Sequence, residues 1–327
     1  MAYSAQVVHR ARQRLAQQKA DRESVYQQHL HTAYAQVPRL KEIDILLRRS
    51  MALAAQAVFT QGTDAAEAMA QTRLANMQLQ QERQALVSSS FAPGYLDESP
   101  ICPHCGGNGY IGAAMCSCLK ALCREEQKQE LSQLTDGTQH FGAFRLDYYP
   151  DRVDSRYGAS PRAIMEKNFR KCLRYAESFD ENSGNLLFVG GTGLGKTFLS
   201  ACIANVVADK GHSVAYESAP RLFGKLEKDR FNPDEESHAQ VQLLLDSDLL
   251  IIDDLGTEMP GNFVTAALYS LVNDRLLSQK ATVISTNLNI SEIAQRYSPQ
   301  IASRLQGSYQ GLTFVGEDIR VLKNRGL

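Results

Sequence analysis

The sequence predicts an α/β protein whose carboxy-terminal half is a five-stranded parallel sheet covered by helices. A small cysteine-bearing segment and an amino-terminal helical domain precede it. Three observations carry this. The stretch LLFVGGTGLGKTFLS (186–200) runs from an apolar strand through a glycine-rich turn into a helical pattern. Apolar runs recur at 186–189, 213–216, 248–252, 281–285 and 312–315, separated by helix-length segments. Strands alternating with helices close into a parallel sheet buried on both faces. The first ninety residues, by contrast, are rich in Ala and Gln, with Pro38 and Gly62 as the breakers. The expected domains are 1–90 (helical, partner-binding), 91–140 (linker and metal-binding segment) and 141–327 (the sheet).

Three helices are expected in the first region. Leu40, Ile43, Leu47, Met51, Ala54 and Val58 recur at three- and four-residue steps, as do Tyr26, Leu30, Tyr34 and Val37. Such spacing lines one face of a helix. Asp64 three residues ahead of Glu67 resembles a capping box. No catalytic constellation occurs here, so the stripes read as a small core or a docking surface.

The run SSSFAPGYLDESP (88–100) reads as a linker. Cys102-Pro-His-Cys105 follows, with glycines behind it, and then Cys116-Ser-Cys118. Four thiolates at this spacing can close a tetrahedral Zn²⁺ site that staples a segment with little core of its own. His104 and Cys123 are spare candidates for one position. A redox dithiol is the rival reading, but it calls for a strand–helix setting that this loop lacks. Seven cysteines, an odd number, suit a reducing compartment better than a disulfide framework.

Gly190, four residues and then Gly195-Lys196-Thr197 make the G-x-x-x-x-G-K-[ST] pattern of a phosphate-binding loop. Its amides can point at phosphate oxygens, and the helix start adds positive charge. Gly190, Gly191, Thr192, Gly193, Leu194 and Gly195 would form the cradle. Lys196 would reach the β- and γ-phosphates of ATP, and Thr197 would offer its hydroxyl to Mg²⁺. About sixty residues on, DLLIIDDLG delivers Asp253 and Asp254 at a strand tip. The first suits the metal's shell and the second the attacking water. The strand ATVISTN ends at Asn287, placed to hold that water, or simply to end a strand. Arg304 in IASRL is either a solvated helix-face arginine or a group aimed at a neighbour's γ-phosphate.

With a net charge of −1, no global polyanion-binding field is expected, so any nucleic-acid contact must be a local patch. Arg221, Lys225, Lys228 and Arg230 form one, although Glu227 and Asp229 interleave it. The start is polar and basic, and no apolar run reaches the roughly 18 residues of a membrane span. A cytoplasmic protein with no membrane partner is expected.

GGTGLGKT, LLIIDDLG, STN and IASRL together resemble the AAA+ ATPases of the bacterial replicative helicase-loader group (DnaC/DnaI type), kin of the IstB-like ATP-binding proteins. FGAFRLDYYPD (141–151) resembles the box ahead of that group's core, and VAYESAPRLFGKLEKDRF (214–231) its second strand and helix. The cysteine knuckle resembles the zinc-bearing region of the DnaI branch. The resemblance is good from about 100 onward and weak over the first ninety residues.

It implies a P-loop NTPase with ATP, Mg²⁺ and Zn²⁺ as cofactors. Lys196, Thr197 and Asp253 would serve phosphate and metal, Asp254 would be the catalytic carboxylate, and Asn287 the first sensor. Arg304 would be an arginine finger acting in trans, which requires a self-oligomer. Asp254 where many relatives carry Glu implies slow, partner-regulated hydrolysis. About a dozen residues follow the last expected strand, so little or no lid is expected, with Arg320 the one candidate for a second sensor. The implied function is loading a hexameric replicative helicase onto single-stranded DNA. The alternative is an accessory ATPase of transposition or phage replication; a small-molecule kinase would need an acceptor pocket that the sequence does not offer.

Overall fold

A computed structural model of the chain describes residue 3 and residues 5–57, 63–135 and 139–324. It divides into two units, Gln13–Cys116 and Met1–Arg12 with Ser117–Leu327.

The first unit holds most of α1 (Ala5–Gln36), then α2 (Pro38–Ala57) and α3 (Thr63–Ser90). Pro38 opens α2, where its preset φ and missing N–H carry no penalty. Leu30, Ala33, Leu40 and Ile43 are buried, with Tyr26, Tyr34, Val37 and Leu47 half-buried beside them. Both expected stripes therefore face inward over this stretch. Val58 lies outside the described residues, and so do the side chains of Met51, Ala54, Asp64 and Glu67.

Polar ties fix the segment after α3. Arg83 donates to Asp44 at 2.8 Å and to Glu98 at 3.0 Å, and the Tyr26 hydroxyl donates to Glu98 at 2.7 Å. The Tyr95 ring stacks on His29 at 4.1 Å and on Phe91 at 5.0 Å. The stretch read as a linker is thus laid against α1 and α3. A two-residue antiparallel pair, β1 (Tyr110–Ile111) and β2 (Ala114–Met115), follows the first two cysteines.

The second unit begins its ordered course with α4 (Ser117–Thr135) and α5 (Pro161–Glu177). Then β3 (Asn185–Val189), α6 (Lys196–Asp209), β4 (Val214–Ser218), α7 (Ala219–Phe231) and α8 (Glu235–Asp246) alternate. After them come β5 (Leu249–Leu255), α9 (Asn262–Leu277), β6 (Ala281–Thr286), α10 (Ile290–Arg296), α11 (Pro299–Ser308), β7 (Tyr309–Thr313) and α12 (Ile319–Asn324). Among the described residues the larger sheet has five strands in the order β4-β5-β6-β3-β7, every pair parallel.

The apolar runs divide by strict alternation, as the pleat requires. Leu186, Phe188, Leu249 and Ile251 join Leu199, Ile203 and Met165 on the face covered by α5 and α6. Leu187, Leu250 and Ile252 join Leu222, Leu268 and Ile301 on the opposite face. The last strand departs from the sequence reading: it starts at Tyr309, not Leu312. It is an edge strand paired on one side, with Gln310, Gly311 and Thr313 exposed, so it carries no continuous apolar run.

Arg275 of α9 is 1% exposed and has no carboxylate among its bonded partners. Its guanidinium donates to the carbonyls of Leu244 (2.8 Å), Leu245 (3.0 Å), Ser247 (3.1 Å) and Ala281 (2.6 Å), and to the Thr282 hydroxyl (2.9 Å). The negative end of α8 and the start of β6 are tied together by one planar fork. Burial pulls its pKa down to about 10, which leaves it charged at neutral pH.

Candidate functional site

The turn between β3 and α6 is clasped from three sides. A side-chain carbon on Gly190 would lie 2.4 Å from the Phe314 carbonyl oxygen, so only glycine fits there. Gly193 has φ +69, and a side chain on it would strike the Asp318 carboxylate at 1.9 Å. The Ile319 amide, at the start of α12, donates to the Gly193 carbonyl at 3.0 Å. From the other direction the fully buried Tyr149 donates its hydroxyl to the Leu194 carbonyl at 3.0 Å. Phe144 stacks on Tyr149 at 5.8 Å and on Phe169 at 5.3 Å, anchoring the 141–151 stretch. Gly191, Thr192 and Thr197 remain exposed.

Lys196 opens α6 and is only 4% exposed. Its ammonium donates to the carbonyls of Gly190 and Gly191, each at 2.7 Å, and to Asn287 Oδ1 at 2.9 Å. These use all three of its donors. Burial lowers its pKa, while Asp254 and Asp253 oppose that shift and Arg320 adds to it. Residues read from three separate motifs therefore converge at one ammonium.

Asp253 and Asp254 stand at the tip of β5. Asp253 is 6% exposed and accepts from the hydroxyls of Ser285 (2.5 Å) and Tyr216 (3.1 Å). The Asp254 carboxyl is raised by burial and by the neighbouring Asp253 charge, against the pull of Lys196 and Arg320. A hydroxyl on Thr197 and two carboxylates are hard oxygen donors, the set that suits Mg²⁺. Tyr149, Tyr216 and Ser285 were not singled out by the motifs. Ser285 lies inside the STN stretch, Tyr216 ends the apolar run 213–216, and Tyr149 sits in a stretch matched only by resemblance.

Arg304 lies elsewhere. It donates to the Tyr269 hydroxyl at 2.8 Å and to Asn273 Oδ1 at 3.3 Å, with its guanidinium 4.4 Å from the Tyr269 ring centre. It rests on α9 rather than on the phosphate loop. Arg320, exposed at the start of α12, is instead the arginine whose charge bears on both Lys196 and Asp254. On α7 the basic residues are largely paired with acids. Lys225 and Arg221 meet Glu217, the latter at 4.0 Å, and Lys228 meets Asp234 at 2.9 Å.

The cysteine cluster gathers as read: the sulfurs of Cys102, Cys105, Cys116 and Cys118 lie within 4.8 Å of one another. Cys102 and Cys116 are 3.8 Å apart, close to the edge of a tetrahedron of thiolates around zinc at about 2.3 Å. The Gly109 amide donates to the Cys105 sulfur at 3.2 Å, as the glycine-backed turn predicts. Neither His104, which is exposed, nor Cys123, a buried thiol pushed up to about 11, belongs to the group.

Residues 164–304 match the family described as IstB-like ATP binding protein. The replicative helicase loader DnaC of Escherichia coli K12 is 28% identical over 137 residues, 42% of this chain and 56% of that protein. An insertion-sequence ATP-binding protein of Sinorhizobium fredii, y4pL, is 28% identical over 186 residues, 55% of this chain and 72% of its own. The chain thus spans little more than half the length of the Escherichia loader it matches. The crystal structure of a DnaC helicase loader overlaps 54% of this chain and 98% of its own at 19% identity and a TM-score of 0.45. That of DnaI overlaps 59% and 98% at 18% identity and the same score, a likeness too loose to argue from. The matched residues include the whole phosphate loop, both carboxylates, Asn287 and Arg304, so this segment of the chain is similar to the IstB-like ATP-binding proteins and to the DnaC loader.

Proposed function

We propose that the chain is an ATP-driven loader that binds a hexameric replicative DNA helicase and delivers it to single-stranded DNA at initiation or restart of replication. The convergence of Lys196, Asn287, Asp253 and Asp254 supports it, in a segment 28% identical to a loader. In this reading the loop amides from Gly190 to Gly195 and the Lys196 ammonium bind the phosphates of ATP. Thr197 and Asp253 hold Mg²⁺, which supplies charge neutralisation on the phosphoryl group when bound. Asp254 polarises the attacking water, and Asn287 orients it. The aspartate's shorter reach suits slow, partner-regulated hydrolysis, and the setting is cytoplasmic. Among the described residues no helix is long and apolar enough to cross a membrane.

Arg304 completes the site of a neighbouring copy, so turnover follows self-assembly, and Arg320 on α12 serves as the second sensor. Residues 1–90 grip the helicase. Residues 91–140 carry the zinc staple. DNA contact through α7 is left chiefly to Arg230, since its other basic residues have acidic partners. The second reading, an accessory ATPase of transposition, is favoured by the match to y4pL, which covers more of this chain than the loader match does.

A pull-down on the immobilised full chain with ATP separates the two. Recovery of a hexameric helicase, lost in Lys196→Ala, is expected; recovery of a transposase alone would move the protein to the second reading. Arg304→Ala should leave ATP affinity unchanged and lower turnover of the assembled protein by about a hundredfold or more. Unchanged turnover would discard the trans-acting role. Elemental analysis of protein purified in reducing buffer should find one zinc per chain, lost in Cys102→Ser, and a metal-free wild-type chain would remove the staple.

A further inference from the structure

Two adjacent carboxylates on a regular strand point to opposite faces of the sheet. Asp253 and Asp254 are adjacent at the tip of β5, but the strand is not regular there. The register between β5 and β6 locates the irregularity. Ile252 stands opposite Ile284, but Leu255 stands opposite Thr286, so Asp253 and Asp254 together face the single residue Ser285. That is a β-bulge, a device that re-aims side chains beside functional sites. Its extra residue, Asp254, adopts φ 56; among the described residues only Gln279 shares a positive φ without being glycine. Backbone in this region persists only where the surroundings hold it.

Ser285 supplies the hold. Its fully buried hydroxyl accepts the Asp254 amide proton at 2.9 Å and donates its own proton to Asp253 Oδ1 at 2.5 Å. A hydroxyl has one proton to give and lone pairs to receive, and here both capacities are used. The bulge takes the Asp254 amide out of the ladder, and the side chain on the opposing strand answers for it. Tyr216 donates to the other oxygen of Asp253, Oδ2, and its hydroxyl makes no hydrogen bond to Asp254 among the described residues.

We propose that Ser285 is a positioning residue that clamps the bulge, so that one hydroxyl fixes the backbone of Asp254 and the carboxylate of Asp253 together. The inference rests on the reading of these two carboxylates as the groups that serve ATP hydrolysis. Tyr216 is the control, because it holds Asp253 alone.

The test uses the full chain and measures three quantities in each variant: nucleotide affinity by fluorescent-ATP titration, the magnesium midpoint of that binding, and turnover at saturating magnesium. In Ser285→Ala, affinity should stay within about threefold while turnover falls at least about tenfold, as expected when a reacting group is misplaced. In Tyr216→Phe the magnesium midpoint should rise, and turnover at saturation should stay within about threefold of wild type. Ser285→Thr, which keeps a hydroxyl, should recover part of the loss; Ser285→Cys, a weak donor, should not. Wild-type turnover in Ser285→Ala would overturn the clamp, and so would equal losses in Ser285→Ala and Tyr216→Phe, which would place the effect on Asp253 alone. If Ser285→Ala melts, the Thr and Cys pair decides, equal turnover in the two overturning the proposal. A wild-type chain that binds ATP without hydrolysing it sinks the underlying reading and the clamp with it, whereas an active wild type with an unaffected Ser285→Ala sinks the clamp alone.

Discussion

An ammonium group taken out of water must find acceptors and compensating charge, or it gives up its proton. Lys196 meets that demand with groups from three strands: carbonyls after β3, carboxylates at the end of β5, and Asn287 just past β6. These strands are neighbours in the sheet and all run the same way, so their carboxyl ends open on one side. That is where parallel sheets collect ligands. The order of strands is thus what lets Lys196 reach Asn287, 91 positions further along the chain.

The loop itself is held by what comes before and after the sheet. Tyr149 fixes the Leu194 carbonyl from the amino-terminal side, and the Phe314 carbonyl and α12 press on Gly190 and Gly193 from the carboxy-terminal side. Glycine at these positions is a steric requirement imposed by neighbours as much as by the turn. The segment after β7 brings the Arg320 charge to bear on Lys196 and Asp254. An exposed arginine there is free to answer an added negative charge, whereas the buried lysine is already fully occupied.

Much of this was legible because it rests on spacing that the backbone dictates. The phosphate loop needs glycines at set intervals, the parallel strands need unbroken apolar runs, and the four thiols need tight turns; each leaves a mark in the sequence. Other features leave none. The bulge at Asp253–Asp254 adds one residue to a strand, and its only trace is an aspartate that tolerates positive φ. No motif marks Arg275, and only the packed sheet shows it buried against carbonyls. The four basic residues of α7 read as a patch until Glu217 and Asp234 are seen beside three of them. The edge strand β7 hides its start because an edge needs no apolar run on both faces.

The most direct test of the central claim is calorimetric titration of the folded, full-length chain with ATP and magnesium, with Lys196→Ala alongside. The account predicts one saturable site per chain in the wild type and its loss in the variant with the melting temperature retained. No heat of binding from the folded wild type, or equal binding by the variant, would contradict it.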